Sequence, residues 1–166
     1  MITEGYYSIG VSEETLSMRE AEAFIMDPGH GAQTSFVGVV RDLNMGKAVE
    51  GVSYDCFTPL TVNIFRDLVH EVHAKWGKMK VYCWHYKGRL DVEGISIIIA
   101  VSTPHRDEAF QACRYLIEEI KHRAPIWKKE HYTDGDSEWT EGCELCGHNH
   151  IHQGHQHTHA SHTDHT

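Results

Sequence analysis

The spacing of apolar positions changes several times along the chain, and each change marks an element. "QTSFVGVVR", residues 33–41, is rich in β-branched and aromatic side chains and predicts a strand that Arg41 closes. Within it, Gly38 would permit a close backbone approach. "DLNMGKA" reads as a loop of turn formers. "GVSYDCF" predicts a second strand, with Val52, Tyr54 and Cys56 on one face and Ser53 and Asp55 on the other. "KVYCWHYKGRL", "ISIIIAVST" and "IWKKEHY" predict further strands. In three segments the period lengthens to that of a helix. "ETLSMREAEAFIM" places Leu16, Ala23 and Phe24 inward, and "DPGHGA" ends it. "PLTVNIFRDLVHEVHAKWG" opens with a proline, has apolar residues at 60, 64, 68 and 72, and closes at Gly77. "PHRDEAFQACRYLIEEIKHR" carries Phe110, Cys113, Leu116, Ile117 and Ile120 on one stripe. Helices and strands mix without strict alternation. This predicts an α+β fold with a largely antiparallel sheet and about three helices packed on it.

The pattern stops near residue 142. Beyond it runs "CELCGHNHIHQGHQHTHASHTDHT", with eight of the chain's fifteen histidines and only Leu145 and Ile151 as large aliphatic residues. Such a segment cannot bury enough apolar surface to offset its ordering entropy. Residues 1–142 therefore read as the folded domain and 143–166 as a disordered Cys/His-rich tail. Cys143-x2-Cys146 is half of a zinc site, and His148, His150 and His152 follow at alternating positions. A local Cys2His2 set for zinc or nickel is one reading; a solvated tail without a metal role is the other.

Charge and cysteine usage narrow the functional classes. The 166 residues carry a formal charge of -9, which argues against broad nucleic-acid binding but leaves room for a local basic pocket for a small anion. No apolar run approaches the roughly 20 residues of a membrane span. "MITEGYYSIG" has no basic region followed by an apolar stretch, so a cytoplasmic location is expected. Five cysteines are an odd number, which argues against a disulfide framework; Cys56, Cys83 and Cys113 fall in apolar-patterned segments and are expected to be buried.

Positive charge nevertheless gathers in "KHRAPIWKKE", residues 121–130. Lys121 follows Ile117 by one helical turn, at the edge of the apolar stripe; a lysine there also simply suits a helix C-terminus. Pro125 stops the helix. In the strand that follows, alternation puts Ile126, Lys128 and Glu130 on one face and Trp127 and Lys129 on the other. Neighbouring cations and partial burial lower a lysine's pKa, giving a usable nucleophile or base. A second cluster is "VSTPHRDE", where a strand meets a helix. Ser102 or Thr103 can cap the helix, Pro104 suits its first turn, and His105 and Arg106 stand at its N-terminus. That is an anion site, or else a solvated terminus with Arg106 paired to an acid.

"SFVGVVRDLNMGKAVEGVSYDCF", "HYKGRLDV", "VSTPHRDEAF", "IKHRAPIWKKE" and "DGDSEW", in this order and spacing, resemble the large, catalytic subunit of molybdopterin synthase, over roughly residues 5 to 141. The resemblance implies a hammerhead-like α+β fold and a sulfurtransferase that needs no cofactor. Such an enzyme makes the dithiolene of molybdopterin from cyclic pyranopterin monophosphate. Its sulfur arrives as a thiocarboxylate on the C-terminal Gly-Gly tail of a small ubiquitin-like subunit. The large subunit dimerises and binds one small subunit at each end, giving a heterotetramer. By motif match, Lys121 and Lys128 are the catalytic lysines, with Lys121 contacting the acyl carbon of the donor. Arg41, His105 and Arg106 match anion-binding residues, and Phe36, Pro125 and Trp127 would shape the pocket wall. Three departures stand out. Tyr86 replaces an arginine, for which Lys87 or Arg89 would compensate; "DVEGIS" reverses a Gly-Glu order; and no arginine follows Arg123, where some members carry one that reaches the neighbouring subunit's site. The competing readings are a metal-delivery protein working through its tail and an interaction module of the same fold without catalysis.

Overall fold

The fold was analysed in a computed structural model, which describes residues 1–141. In chain order the elements are β1 (Ile2–Thr3), β2 (Tyr7–Ser12), α1 (Met18–Ile25), β3 (Ala32–Val39), β4 (Leu43–Asn44), β5 (Lys47–Cys56) and α2 (Thr58–Trp76). They continue with β6 (Lys80–Tyr86), β7 (Gly88–Asp91), β8 (Ile95–Thr103), α3 (Arg106–Arg123), β9 (Ile126–Tyr132), β10 (Gly135–Asp136) and β11 (Thr140–Glu141). The α+β expectation holds: three helices pack on curled, mostly antiparallel sheet, and β2–β6 is the one parallel pairing among the described strands.

The strands form two sheets. The first runs β1-β2-β6-β8-β3, and the second is built around β5, which pairs with β9 on one side and with β4 and β7 on the other. β8 is the central hydrophobic run, and its alternation serves both faces. Ile97, Ile99 and Val101 join the core beneath α2 and α3, whereas Ile98 and Ala100 pack with Leu16, Ala21 and Ile25 of the α1 segment. Val40, Val49 and Val52 form a third, smaller core against the second sheet.

Several local expectations are corrected. α1 spans only Met18–Ile25; Ala21 and Ile25 are its buried residues and Ala23 is exposed. In α2 the buried face runs through Thr61, Val62, Phe65, Leu68, Val69 and Val72, so Leu60 lies outside it. "DLNMGKA" is a hairpin, β4 to β5, turning at Met45 and Gly46, which both have positive φ. "KVYCWHYKGRL" is two strands, because the chain leaves the first sheet after Tyr86 and enters the second at Gly88, whose φ of 128° suits only glycine. Strand β3 ends at Val39, so Arg41 lies two residues beyond it. Gly38 does sit where the backbone is crowded: a Cβ there would come within 2.8 Å of Ile97 Cγ2 and Ser96 Oγ.

The N-cap of α3 is His105; neither Ser102 nor Thr103 caps it. Both lie at the end of β8, three and two residues before His105, too far upstream to cap a helix that starts at Arg106; their hydroxyls donate to Ile25 O at 2.6 Å (Ser102) and to His105 O (Thr103). Phe110, expected on the buried stripe, is 63% exposed, and Ala109 and Ala112 take the inward positions beside Cys113, Leu116 and Ile120. Cys56, Cys83 and Cys113 are buried free thiols, as their apolar setting predicts.

Candidate functional site

The end of α3 and the start of β9 are where the two sheets meet. Pro125 drives the residue before it out of helical geometry, and Ala124 is accordingly extended, with ψ of 133°. The turn is tight: the Ala124 N–H donates to Ile120 O at 3.0 Å and the Ile126 N–H to Ala124 O at 2.9 Å. Lys121 is therefore left in the last helical turn while Lys128 returns in β9, opposite Tyr54 of β5. Both lysines line one small chamber of about 20 Å³, together with Tyr54, His85, Ile97, Ile120, Ala124 and Ile126.

Lys121 also belongs to a second, larger space. A cleft of about 550 Å³ runs along α3 beside the edge strand β3, lined by Thr34, Phe36, Phe110, Cys113, Ile117, Lys121 and neighbouring residues. Its walls are largely apolar, and the exposure of Phe110 is explained by its place there. Lys121 is common to the cleft and the chamber.

The electrostatics of the chamber are set by burial. The Lys128 ammonium lies 3.1 Å from a carboxylate oxygen of Glu130, the one buried carboxylate among the described residues. His85 is buried, and its Nδ1 is 2.7 Å from the carbonyl oxygen of Tyr86. A carbonyl only accepts, so Nδ1 carries the proton. Burial holds the His85 pKa down to about 4; the positive charge of Lys121 also lowers it, against the bond to Tyr86. The ring of Tyr54 meets that of His85 edge-on, with centroids 5.2 Å apart, and burial pushes the Tyr54 hydroxyl pKa up.

The motif residues are not all gathered in this site. Phe36 is on the cleft wall. Arg41 is exposed, but Val39 pairs with Ile95 and so places it at the Lys121 end of the sheet. His105 and Arg106 are exposed at the opposite end of α3, about 22 Å from Lys121 at 1.5 Å per residue. Pro125 shapes the turn without lining either space, and Trp127 faces away from Lys128 on β9. Of the substitutes for the arginine replaced by Tyr86, Lys87 is tied to the end of β5, 3.5 Å from Asp55 Oδ1 and 3.4 Å from Cys56 O. Arg89 pairs in register with Ser53, on β5's outward-facing side. Cys143, Cys146, His148, His150 and His152 lie outside the described residues, and among the described residues no cluster of metal-ligating side chains occurs.

Sequence reasoning missed His85 and Tyr54 as parts of the site. A signal for His85 was present: alternation along β6 puts it on the same face as Val81 and Cys83, both buried.

By fold and site this is an α+β protein that brings two amines together at the end of an apolar cleft. Residues 11–123 match the family described as MoaE protein. The molybdopterin synthase catalytic subunit of Synechococcus elongatus is 42% identical over 147 residues, covering 88% of this chain and 89% of that protein. The subunit of the same name from Bos taurus is 35% identical, covering 79% of this chain and 69% of that protein. Among solved structures, molybdopterin synthase from Staphylococcus aureus superposes with a TM-score of 0.76 at 30% identity, covering 84% of this chain and 98% of that one. A complex of subunits 1 and 2 of molybdopterin-converting factor from Helicobacter pylori shares the fold, with a TM-score of 0.63 at 24% identity, covering 77% and 87%. The chain belongs to the MoaE family, the catalytic subunits of molybdopterin synthase, enzymes of molybdenum cofactor biosynthesis. Nothing in these comparisons supports the metal-delivery reading.

Proposed function

We propose that this chain converts cyclic pyranopterin monophosphate to molybdopterin, using sulfur delivered as a thiocarboxylate on the Gly-Gly tail of a small ubiquitin-like subunit. The observation that carries the reading is the meeting of cleft and chamber at Lys121. From Phe110 to Lys121 the cleft follows α3 for about 16 Å, which accepts roughly five extended residues. A tail ending in two glycines has no side chain there to meet Phe36 and Ile117 on the cleft walls, and can bring its acyl carbon to the Lys121 amine. The anionic thiocarboxylate gains a charge-assisted contact there. Lys121 meets the acyl carbon, and Lys128 moves the proton or holds the pyranopterin. Arg41, at the same end of the sheet, suits the substrate phosphate.

His105 and Arg106 are too far from Lys121 in the same chain to share one pyranopterin with it. Their role as anion ligands therefore requires a second copy of the chain. This is in keeping with a homodimer that binds one small subunit at each end. We place the reaction in the cytoplasm; no helix among the described residues is long and apolar enough to cross a membrane. Sulfur transfer uses no metal. Separately, Cys143, Cys146 and two of His148, His150 and His152 offer the thiolate and imidazole donors that suit one tetrahedral zinc ion, or nickel less well.

The test is dithiolene formation with the thiocarboxylated small subunit. Lys121→Ala should abolish transfer with the fold intact, because Lys121 is exposed at the helix end. Lys128→Ala should cost far more than Lys129→Ala, whose ammonium lies over the Trp139 ring on the other face. Near-normal turnover of Lys121→Ala would sink the reading.

A further inference from the structure

The chamber holds one group that the two-lysine chemistry leaves without a part. His85 is buried on β6 beside Ile97, Ile120 and Ile126, where a polar ring carries a burial cost that an apolar side chain would escape. Its Nδ1 proton is spent on Tyr86 O at 2.7 Å. The ring is fixed from the side by Tyr54. The charged or titratable groups facing it are Tyr54 from β5, Lys121 from α3 and Lys128 from β9. Nε2 of an uncharged ring in this tautomer has a lone pair and no hydrogen.

We propose that His85 is a positioning residue for sulfur transfer, its Nε2 accepting a hydrogen bond from the Lys121 amine and so aiming that amine at the acyl carbon of the donor tail. The inference rests on the reading of Lys121 as the residue that meets the donor. Uncharged imidazole suits the role because an imidazolium would have no lone pair and would repel both lysines. Burial and the Lys121 charge keep the ring uncharged throughout the physiological range, with its pKa near 4. Chain geometry supports the pairing. Lys121 stands at the end of a helix and carries a long flexible stem, so an acceptor fixed by the core reduces the freedom that positioning must overcome.

The experiment uses the full chain with its thiocarboxylated small subunit and follows kcat and KM for the pyranopterin from pH 6 to 10. Wild type is compared with His85→Phe, His85→Gln and Lys121→Ala. His85→Phe should lower kcat about tenfold to a hundredfold with KM little changed, the loss expected for a hydrogen bond to a charged group. An acceptor stabilises the charged amine, so its removal should also move the acidic limb of the kcat profile to lower pH. His85→Gln, which keeps an acceptor, should recover most of both effects. Wild-type kcat and an unmoved limb in His85→Phe would overturn the inference while leaving Lys121 its role. So would equal losses in both variants without any movement of the limb, which mark a structural part only. An active Lys121→Ala would overturn both readings. Nitrogen-15 NMR of histidine-labelled wild type, with the His85 signal assigned by its loss in His85→Gln, gives a check independent of variant folding. At pH 6 the ring should be uncharged with its proton on Nδ1. An imidazolium, or a proton on Nε2, would refute the proposal.

Discussion

Replacing Glu130 by glutamine tests how firmly Lys128 is held. Glu130 is 5% exposed and its carboxylate lies 3.1 Å from the Lys128 ammonium, whose side chain is 21% exposed. At that separation and an effective dielectric of about 20, the gross attraction is about 5 kcal/mol. Taking both charges from water consumes much of it, and charge-assisted hydrogen bonds net about 1.5–3 kcal/mol. Breaking a fully buried pair by removing one partner costs about 3–5 kcal/mol. Lys128 reaches water and can be resolvated in part, so the cost here should be lower, about 2 kcal/mol. For a domain of this size that is a fall in Tm of roughly 5–10 °C. The assay is urea and thermal unfolding of Glu130→Gln, Lys128→Met and the double variant. The coupling from the cycle should be about 1.5–2 kcal/mol. A coupling within about 0.5 kcal/mol of zero is simple additivity and would refute the argument that these charges hold each other in place. The same variant should lose sulfur transfer, since the amine of Lys128 would no longer be pinned to the chamber wall.

Arg41→Ala and Arg106→Ala should each weaken pyranopterin binding about tenfold to a hundredfold while leaving the chemistry of the lysines alone; titration of the substrate against each variant checks this, and unchanged affinity in both would remove the phosphate from these residues. Glu71 bridges α2 to the end of α3, 2.8 Å from Arg123 and 2.7 Å from the Tyr115 hydroxyl, and the bond from Arg123 is the main reason its carboxyl pKa is lowered. A lowered folded pKa means stability present above the unfolded value and lost as pH falls through the folded one. Glu71→Gln should therefore cost about 0.5–1 kcal/mol at pH 7, discounted because both partners are a third exposed, and the difference from wild type should close as pH drops below the ordinary carboxylate range. Truncation after Gly142 should remove bound zinc without slowing sulfur transfer; metal content and turnover measured side by side decide, and unchanged zinc would place the metal elsewhere.

Much of the site could be read along β9, because a strand's two faces follow from counting. Ile126 and Glu130 are buried and Lys128 half-buried between them, as the alternation requires. The apolar stripe of α3 was legible for the same reason, except at Phe110, whose neighbour across the cleft is not a sequence neighbour. Division into two sheets was not legible. "KVYCWHYKGRL" has strand character throughout, and only the conformation of Gly88 redirects the chain. The proposed caps Ser102 and Thr103 failed because β8 runs on through Thr103 and the helix starts at Arg106, two residues later than the proline suggests. Adjacent motifs also hide distance: "STPHR" and "IKHR" flank one helix, yet a straight helix sets Arg106 and Lys121 at opposite ends.

The same geometry explains why Lys128, and not Lys129, faces the chamber. Were α3 to continue, residue 128 would lie seven positions and about 10 Å beyond Lys121 on the same helical face, with no second sheet to close around it. Pro125 prevents this and delivers the chain to β5 as an antiparallel partner. The pairing sets Ile126 against Cys56, Lys128 against Tyr54 and Glu130 against Val52. Ile126, Cys56, Val52 and Glu130 are all buried, so this register is the one that places apolar groups and the paired carboxylate in the core. A slip of one residue would turn Trp127 and Lys129 inward and expose Ile126. The identity of the inward lysine is thus fixed by burial of its neighbours two residues away on either side. An interior substitution at Val52, which lines neither the chamber nor the cleft, should act on the chemistry through register, without touching either amine.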